Sequence, residues 1–293
     1  MLLNQFRKLS PRLQGILLLV TAALLWSTSG FFIKGIDWNP MAIAGIRSLI
    51  AAFVIRFFFR NSPLQWSSSL GIGAIAYAFT VISFVYATKM TTAANAILLQ
   101  YTAPVYVAVL GTVFLNEKPA RADWITLASV LVGMALFFQD QLSPGGLQGN
   151  LLAIASGMSM AVMAVSLRRQ KLASPFGSVL WGNILTFLIS LPFLSSGSPN
   201  REAWLALILL GCFQLGISYV LYAIAIKQVT ALEATIITMI EPLLNPLWVV
   251  LIIGEWPGSW ALAGGAVILS AITARYVLPA LKSANDSHPL PPA

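Results

Sequence analysis

Apolar residues run along this chain in long blocks separated by short polar breaks. A bilayer-crossing helix needs about 20 mostly apolar residues. Ten such blocks can be read, at approximately 13–35, 40–59, 68–89, 92–115, 121–139, 147–169, 175–194, 202–226, 231–253 and 257–279. They are too long, and too continuous in their apolarity, for the alternating strands of an outer-membrane barrel. The pattern predicts an all-α integral membrane protein with ten transmembrane helices. Composition agrees: of 293 residues, 58% are hydrophobic and 9% charged, against about one quarter charged in an ordinary soluble domain.

The net charge of +8 raises the question of nucleic acid, but the positions of the cations answer it. With the N terminus inside, Arg7, Lys8, Arg12, Arg56, Arg60, Lys118, Arg121, Arg168, Arg169, Lys171, Lys227, Arg275 and Lys282 gather on the cytoplasmic side, while Lys34, Lys89 and Arg201 fall outside. The positive-inside rule accounts for this asymmetry. It places both termini in the cytoplasm of a cell inner (plasma) membrane, with the bilayer rather than nucleic acid as partner. Arg168 and Arg169 then read as topogenic or anionic-lipid contacts.

Residues 13–35 are too long for a signal-peptide core and lack a cleavage pattern, so the first helix is expected to stay. Cys212 is the single cysteine and reads as a small apolar residue. His288, the single histidine, lies in the polar tail "NDSHPLPPA", expected to be disordered. An intramembrane metal site or a serine and histidine dyad would need a histidine within the membrane. The reading is therefore of a protein without metal or cofactor that is not an enzyme.

The chain also repeats itself. "KMTTAANAILLQYTAPVYVAVLGTVFLNEKP" at 89–119 aligns with "KQVTALEATIITMIEPLLNPLWVVLIIGEWP" at 227–257 at a constant offset of 138, placing Pro104 on Pro242, Glu117 on Glu255 and Pro119 on Pro257. "LQG" at 13–15 recurs at 147–149. The expected organisation is a cytoplasmic segment 1–12, a first five-helix repeat 13–139, a second 147–279 and a disordered cytoplasmic tail 280–293. Five is odd, so the second repeat enters the bilayer upside down. Such inverted repeats recur in secondary transporters.

"WSTSGFFIK" in the first helix, "GIRSLIAA" in the second and the two Pro-to-Glu-Pro segments closing helices four and nine resemble the drug/metabolite transporter superfamily, in its EamA-type branch. The resemblance covers residues 13–279. It implies a basket of helices around a central cavity, helices five and ten at the back, and export of small metabolites such as amino acids. Asn116 stands where the family often has glycine, a departure confined to a loop.

Within the helices, proline removes a donor and releases the carbonyl four residues earlier. Pro104, Pro242 and Pro246 would release those of Gln100, Thr238 and Pro242. Such carbonyls can bind substrate or ion, or be a packing kink healed by neighbours. Glu241 lies about 15 Å from either end of its helix, where a carboxylate is costly and functional by default. Thr238, Asn245 and Trp248 share its face. Its alternative is neutral glue between helices. Arg47, about 10 Å below the outer surface, can bind a substrate carboxylate, pair with Glu241, or snorkel outward.

Trp26, near the middle of helix one, together with Tyr77, Gln100, Tyr101, Trp181 and Asn183, completes the substrate-binding candidates, each with packing as the alternative. Thr230 and Glu233 have capping-box spacing. Glu117 and Glu255 read as parts of tight turns. Lys89 and Lys227 read as solvated or facing headgroups, and Trp38, Trp66, Trp124, Trp204, Trp256 and Trp260 as interfacial anchors.

The expectation is a transporter exporting a small metabolite, an amino acid or related amphipathic compound, by alternating access, as monomer or homodimer. Proton coupling through Glu241 and facilitated diffusion both fit. The alternatives are a membrane enzyme or scaffold acting on lipid-linked substrates, disfavoured by the absence of paired aspartates, and a channel, disfavoured by the absence of a charged ring.

Overall fold

The computed structural model describes residues 6, 9–28, 32–33, 35–139, 146–244 and 258–281. Among these residues all regular structure is helical. The helices are α1 (Pro11–Trp26), α2 (Pro40–Phe58), α3 (Ser68–Met90), α4 (Ala93–Gln100), α5 (Ala103–Leu115), α6 (Arg121–Phe137), α7 (Leu147–Arg169), α8 (Pro175–Ser190), α9 (Arg201–Leu209), α10 (Ser218–Ala225), α11 (Ala231–Thr238) and α12 (Ser259–Ile272). A π-helical stretch, Leu210–Ile217, joins α9 to α10.

Their starts follow from local chemistry. Ser10, Asn39, Ser67, Thr92, Asn200 and Thr230 each accept a backbone N–H of the first turn. These caps satisfy donors that a helix end leaves orphaned. With interrupted helices taken as continuous, seven are long and apolar enough to cross a membrane: Pro40–Phe58, Ser68–Met90, Ala93–Leu115, Leu147–Arg169, Pro175–Phe193, Arg201–Ala225 and Ser259–Leu281. The ninth predicted block is described only as far as Leu244.

The first block is a correction. α1 ends at Trp26, so this residue closes the helix instead of lying near its middle. Ser27 and Thr28 donate their hydroxyls to the carbonyls of Leu24 and Leu25, supplying side-chain donors where the helix stops. That is how a helix can end at membrane depth without stranding its carbonyls.

The duplication is visible in three dimensions. α4 stops at Gln100, Tyr101 and Thr102 form a turn, and α5 starts at Ala103; α11 stops at Thr238, Met239 and Ile240 form a turn, and helix resumes at Glu241. Every position is displaced by the sequence offset of 138. Pro104 sits in the first turn of α5, where its missing N–H costs nothing. Pro104 and Pro242 therefore start second half-helices rather than kink continuous ones.

The two "LQG" glycines explain their own repetition. A Cβ on Gly149 would come within 2.9 Å of the Met90 and Thr91 backbone, and one on Gly15 within 3.1 Å of Val229 and Gln228. Each glycine seats the first helix of one repeat on the approach to the broken helix of the other. Gln228 touches the beginning of α1, while the adjoining Lys227 carbonyl accepts from Arg168 at the end of α7. The two first helices thus run in opposite directions, as inversion requires.

α7 packs along α3, α8 packs against α2 and α3, and α6 pairs with α12. In the last pair Gly133 and Gly264 meet so closely that a Cβ on Gly264 would lie 2.4 Å from the Gly133 carbonyl. Small residues let membrane helices approach backbone to backbone.

Candidate substrate-binding site

The two helix breaks face each other. Tyr101, in the turn between α4 and α5, donates its hydroxyl to the Glu241 carboxylate, in a very short contact, and lies 3.1 Å from the Thr238 carbonyl. That carbonyl is the one Pro242 releases, so the partner of the broken backbone is a side chain of the opposite repeat. Glu241 is linked across helices through Tyr101, and its carboxylate also borders a cavity.

This cavity is lined by Trp26, Arg47, Thr80, Phe84, Gln100, Tyr101, Gln214, Tyr219 and Glu241. Its volume is about 50 Å³, small beside the ~300–1,000 Å³ of pockets that hold drug-sized ligands. In this conformation it has room for waters rather than for a metabolite.

Arg47 projects into the cavity from α2 and is only 1% exposed, so it does not snorkel to the surface. Nor does it pair with Glu241: the ion pairs among the described residues are Arg12 with Glu233, Arg168 with Glu117 and Arg275 with Asp123. Its Nη1 donates to Gln214 Oε1 at 3.3 Å, and its buried Nε has no hydrogen-bond partner among the described residues. A guanidinium holds a carboxylate through two such N–H groups.

The other candidates divide by position. Trp26 lines the cavity, its ring centroid 5.0 Å from that of Tyr219 and 5.5 Å from that of Tyr222, with its buried Nε1 unpartnered among the described residues. Gln100 lines it too, donating to Ser156 Oγ at 2.8 Å. Tyr77 and Asn183 form a buried pair at 3.1 Å. Tyr77 packs edge-on against Tyr219, one layer behind the cavity. Trp181 packs against Trp66 at 5.1 Å, outside the cavity lining. Asn245 and Pro246 lie outside the described residues, as do Glu255 and Trp248.

Gln214, Tyr219 and Tyr222 escaped the sequence reading. Gln214 could have been found as an amide midway along an apolar block, flanked by Gly211 and Gly216.

The charged residues near the helix ends require further corrections. Arg168 is not merely a topogenic charge: its Nε donates to Glu117 at 2.7 Å and its Nη1 to the carbonyls of Ile226 and Lys227. The other Glu117 oxygen accepts from the Ala231 backbone N–H at 2.9 Å, so Glu117 caps α11 of the opposite repeat. Thr230 caps the Glu233 N–H as expected, but the Glu233 carboxylate turns to Arg12. Lys227 reaches the Ala173 carbonyl at 3.2 Å, and Lys89 the Ile36 carbonyl at 2.7 Å. All three ion pairs join one repeat to the other, or to the start of its first helix.

The sequence profile of the EamA-like transporter family matches residues 13–139 and matches again over 147–275. The chain belongs to this family. It is 29% identical, over 87% of its length and 93% of the relative's, to an uncharacterized transporter of Archaeoglobus fulgidus. It is 28% identical to the uncharacterized transporter YdfC of Bacillus subtilis, covering 82% of this chain and 83% of that one. The pseudopaline exporter CntI of Pseudomonas aeruginosa is 25% identical, over 89% and 95% of the two chains. A solved crystal structure superposes with a TM-score of 0.78 over 91% of this chain and 99% of that one, at 22% identity, a likeness of fold. The protein is thus a multi-pass membrane protein of a family with a ten-helix transporter fold, and the two profile matches mark its two repeats.

Proposed function

We propose that the protein exports a small amphipathic metabolite, an amino acid or a related compound, across the inner membrane by alternating access. The observation that carries this reading is Arg47: a buried guanidinium bordering the central cavity, with an unpartnered Nε and no carboxylate paired to it among the described residues. Leaving such a charge unmatched is costly. A substrate carboxylate supplies the match, while Trp26 and Tyr219 receive the apolar part and Glu241 shapes the polar floor. The exporter name of the pseudopaline relative supports the outward direction.

Alternating access is supported by the distribution of contacts. The three ion pairs lie together at the end that the cation census assigns to the cytoplasm. They bridge the repeats there, and the central cavity is narrow, which fits a state closed towards the cytoplasm. Inverted repeats reach the opposite state by exchanging conformations. Both termini are then cytoplasmic. The test is an efflux screen with labelled metabolites in cells with and without the protein: faster loss of at least one amino acid or related compound is expected, and identical efflux across the panel refutes the reading.

A further inference from the structure

The central cavity presents unfilled donors at one place and an acceptor at another. Arg47 Nε and Trp26 Nε1 are buried without partners among the described residues. Gln214 is only 7% exposed and spends its carbonyl oxygen on Arg47, which leaves its amide N–H₂ as the group it can offer to a ligand. Glu241, across the same cavity, is an acceptor bound through one oxygen to Tyr101. A cation and a carboxylate therefore border one small space without forming an ion pair with each other.

Gln214 holds this place because of an unusual backbone. It sits within the π-helical stretch Leu210–Ile217, a local widening that recurs at functional sites. Two glycines lay the stretch directly against α2. A Cβ on Gly211 would come within 2.6 Å of Ile50 and 2.9 Å of the Arg47 carbonyl, and one on Gly216 within 2.9 Å of Val54. The register between Gln214 and Arg47 is thus fixed by backbone contact as well as by their hydrogen bond. Further along, the Ser218 hydroxyl donates to the Gln214 carbonyl in a very short contact.

We propose that the cavity selects zwitterions, with Gln214 as the residue that positions Arg47 and joins it in gripping the carboxylate while Glu241 receives the cationic amine. The proposal rests on the transport reading above and narrows its substrate class. A ligand carrying both charges matches both ends. A plain carboxylate leaves Glu241 facing a second anion, and a plain amine leaves Arg47 unmatched, each at the electrostatic cost of an unpaired buried charge.

The test uses the full-length protein in proteoliposomes with two matched sets of probes. One set is leucine, 4-methylpentanoate and 3-methylbutylamine; the other is phenylalanine, 3-phenylpropionate and 2-phenylethylamine. Thermal stabilisation measures binding, and counterflow of the labelled amino acids measures transport. In at least one set the zwitterion is expected to bind at least about tenfold more tightly than either half-molecule, the size of one charge-assisted hydrogen bond. Gln214→Leu should lower amino-acid affinity by about tenfold on the same basis and concentrate its loss on ligands with a carboxylate.

Gln214→Glu, which keeps the shape but presents Arg47 with a carboxylate, should abolish amino-acid binding and retain the amine. Its retained amine binding reports a folded site. Half-molecules that bind as well as whole amino acids, or variants that weaken amine and amino acid equally, overturn the proposal and leave transport standing. Absence of binding and counterflow in both sets removes the amino-acid reading, and this proposal with it.

Discussion

Removing the Arg168 side chain should open the end of the bundle at which the two repeats are pinned. Arg168→Ala deletes the ion pair with Glu117 at 2.7 Å and two hydrogen bonds to the carbonyls of Ile226 and Lys227. Breaking a fully buried ion pair costs about 3–5 kcal/mol and a surface pair about 0–1. The side chains here are 12% and 19% exposed, so a cost of about 2 kcal/mol, between those limits, is assigned to the closed arrangement. If the cytoplasm-open state lacks these contacts, the equilibrium shifts towards it by about thirtyfold.

Val107 reports the shift, being fully buried and lining the small hollow that also contains Glu117 and Thr230. In a Cys212→Ser background carrying Val107→Cys, alkylation by a water-soluble maleimide applied from the cytoplasmic side should accelerate by about thirtyfold when Arg168→Ala is added. Arg169→Ala is the control, because Arg169 is exposed. An alkylation rate within twofold of the parent, or an equal rise in the Arg169 control, would refute the assignment of these contacts to a gate.

Further predictions concern the cavity, the helix packing and the topology. Arg47→Lys should reduce transport by about tenfold or more with little effect on abundance, since lysine lacks the planar fork that grips a carboxylate; equal affinity for a carboxylate-free analogue removes the role. If Glu241 carries a coupled proton, Glu241→Gln should abolish stimulation of proteoliposome transport by an imposed pH gradient while the amide still bonds to Tyr101, and an unchanged response leaves Glu241 with architecture or substrate contact. Gly264→Ala drives a methyl into the Gly133 carbonyl and the Phe137 backbone and should cost about 1–3 kcal/mol, read as a lowered melting temperature; Gly35→Ala, with nothing within 4 Å, should not. Reporters fused after residues 116 or 170 should remain cytoplasmic and those after 141 or 197 be exported, the reverse for 141 and 197 sinking the ten-span topology.

Much of the architecture was legible because membranes impose it. Apolar length reveals spans, and a constant offset reveals duplication, without any knowledge of contacts. The broken helices were only half legible: proline marks where the backbone loses a bond, but whether the helix bends or stops depends on what meets the released carbonyl, and at Thr238 that is a tyrosine 137 residues away. Arg168 was misread for a related reason. The positive-inside rule explains cations as a population and says nothing of which one finds a carboxylate. Gln214 was passed over because a lone amide costs less in a membrane than a charge and so attracts less notice, while a π-helical stretch leaves no periodic trace in sequence. Trp181 stands out in the sequence by its type and Trp66 reads as an interfacial anchor, and only the fold brings the two rings together.

The helix α11 is short, and its shortness matters mechanically. One end, Ala231, is held by Glu117 of the other repeat; the opposite end, Thr238, offers its carbonyl to Tyr101 beside Glu241. Eight residues span about 12 Å, far too few to bend. α11 is therefore a push-rod. If α11 moves as one piece, a displacement at the Glu117 end reaches the Tyr101 end and links the ion pair at the mouth to the carboxylate in the cavity. In the proposed export cycle, substrate that disturbs the Tyr101 contact would pull on the bolt at the cytoplasmic entrance, and a bolt withdrawn there would reset the floor on which the next molecule lands.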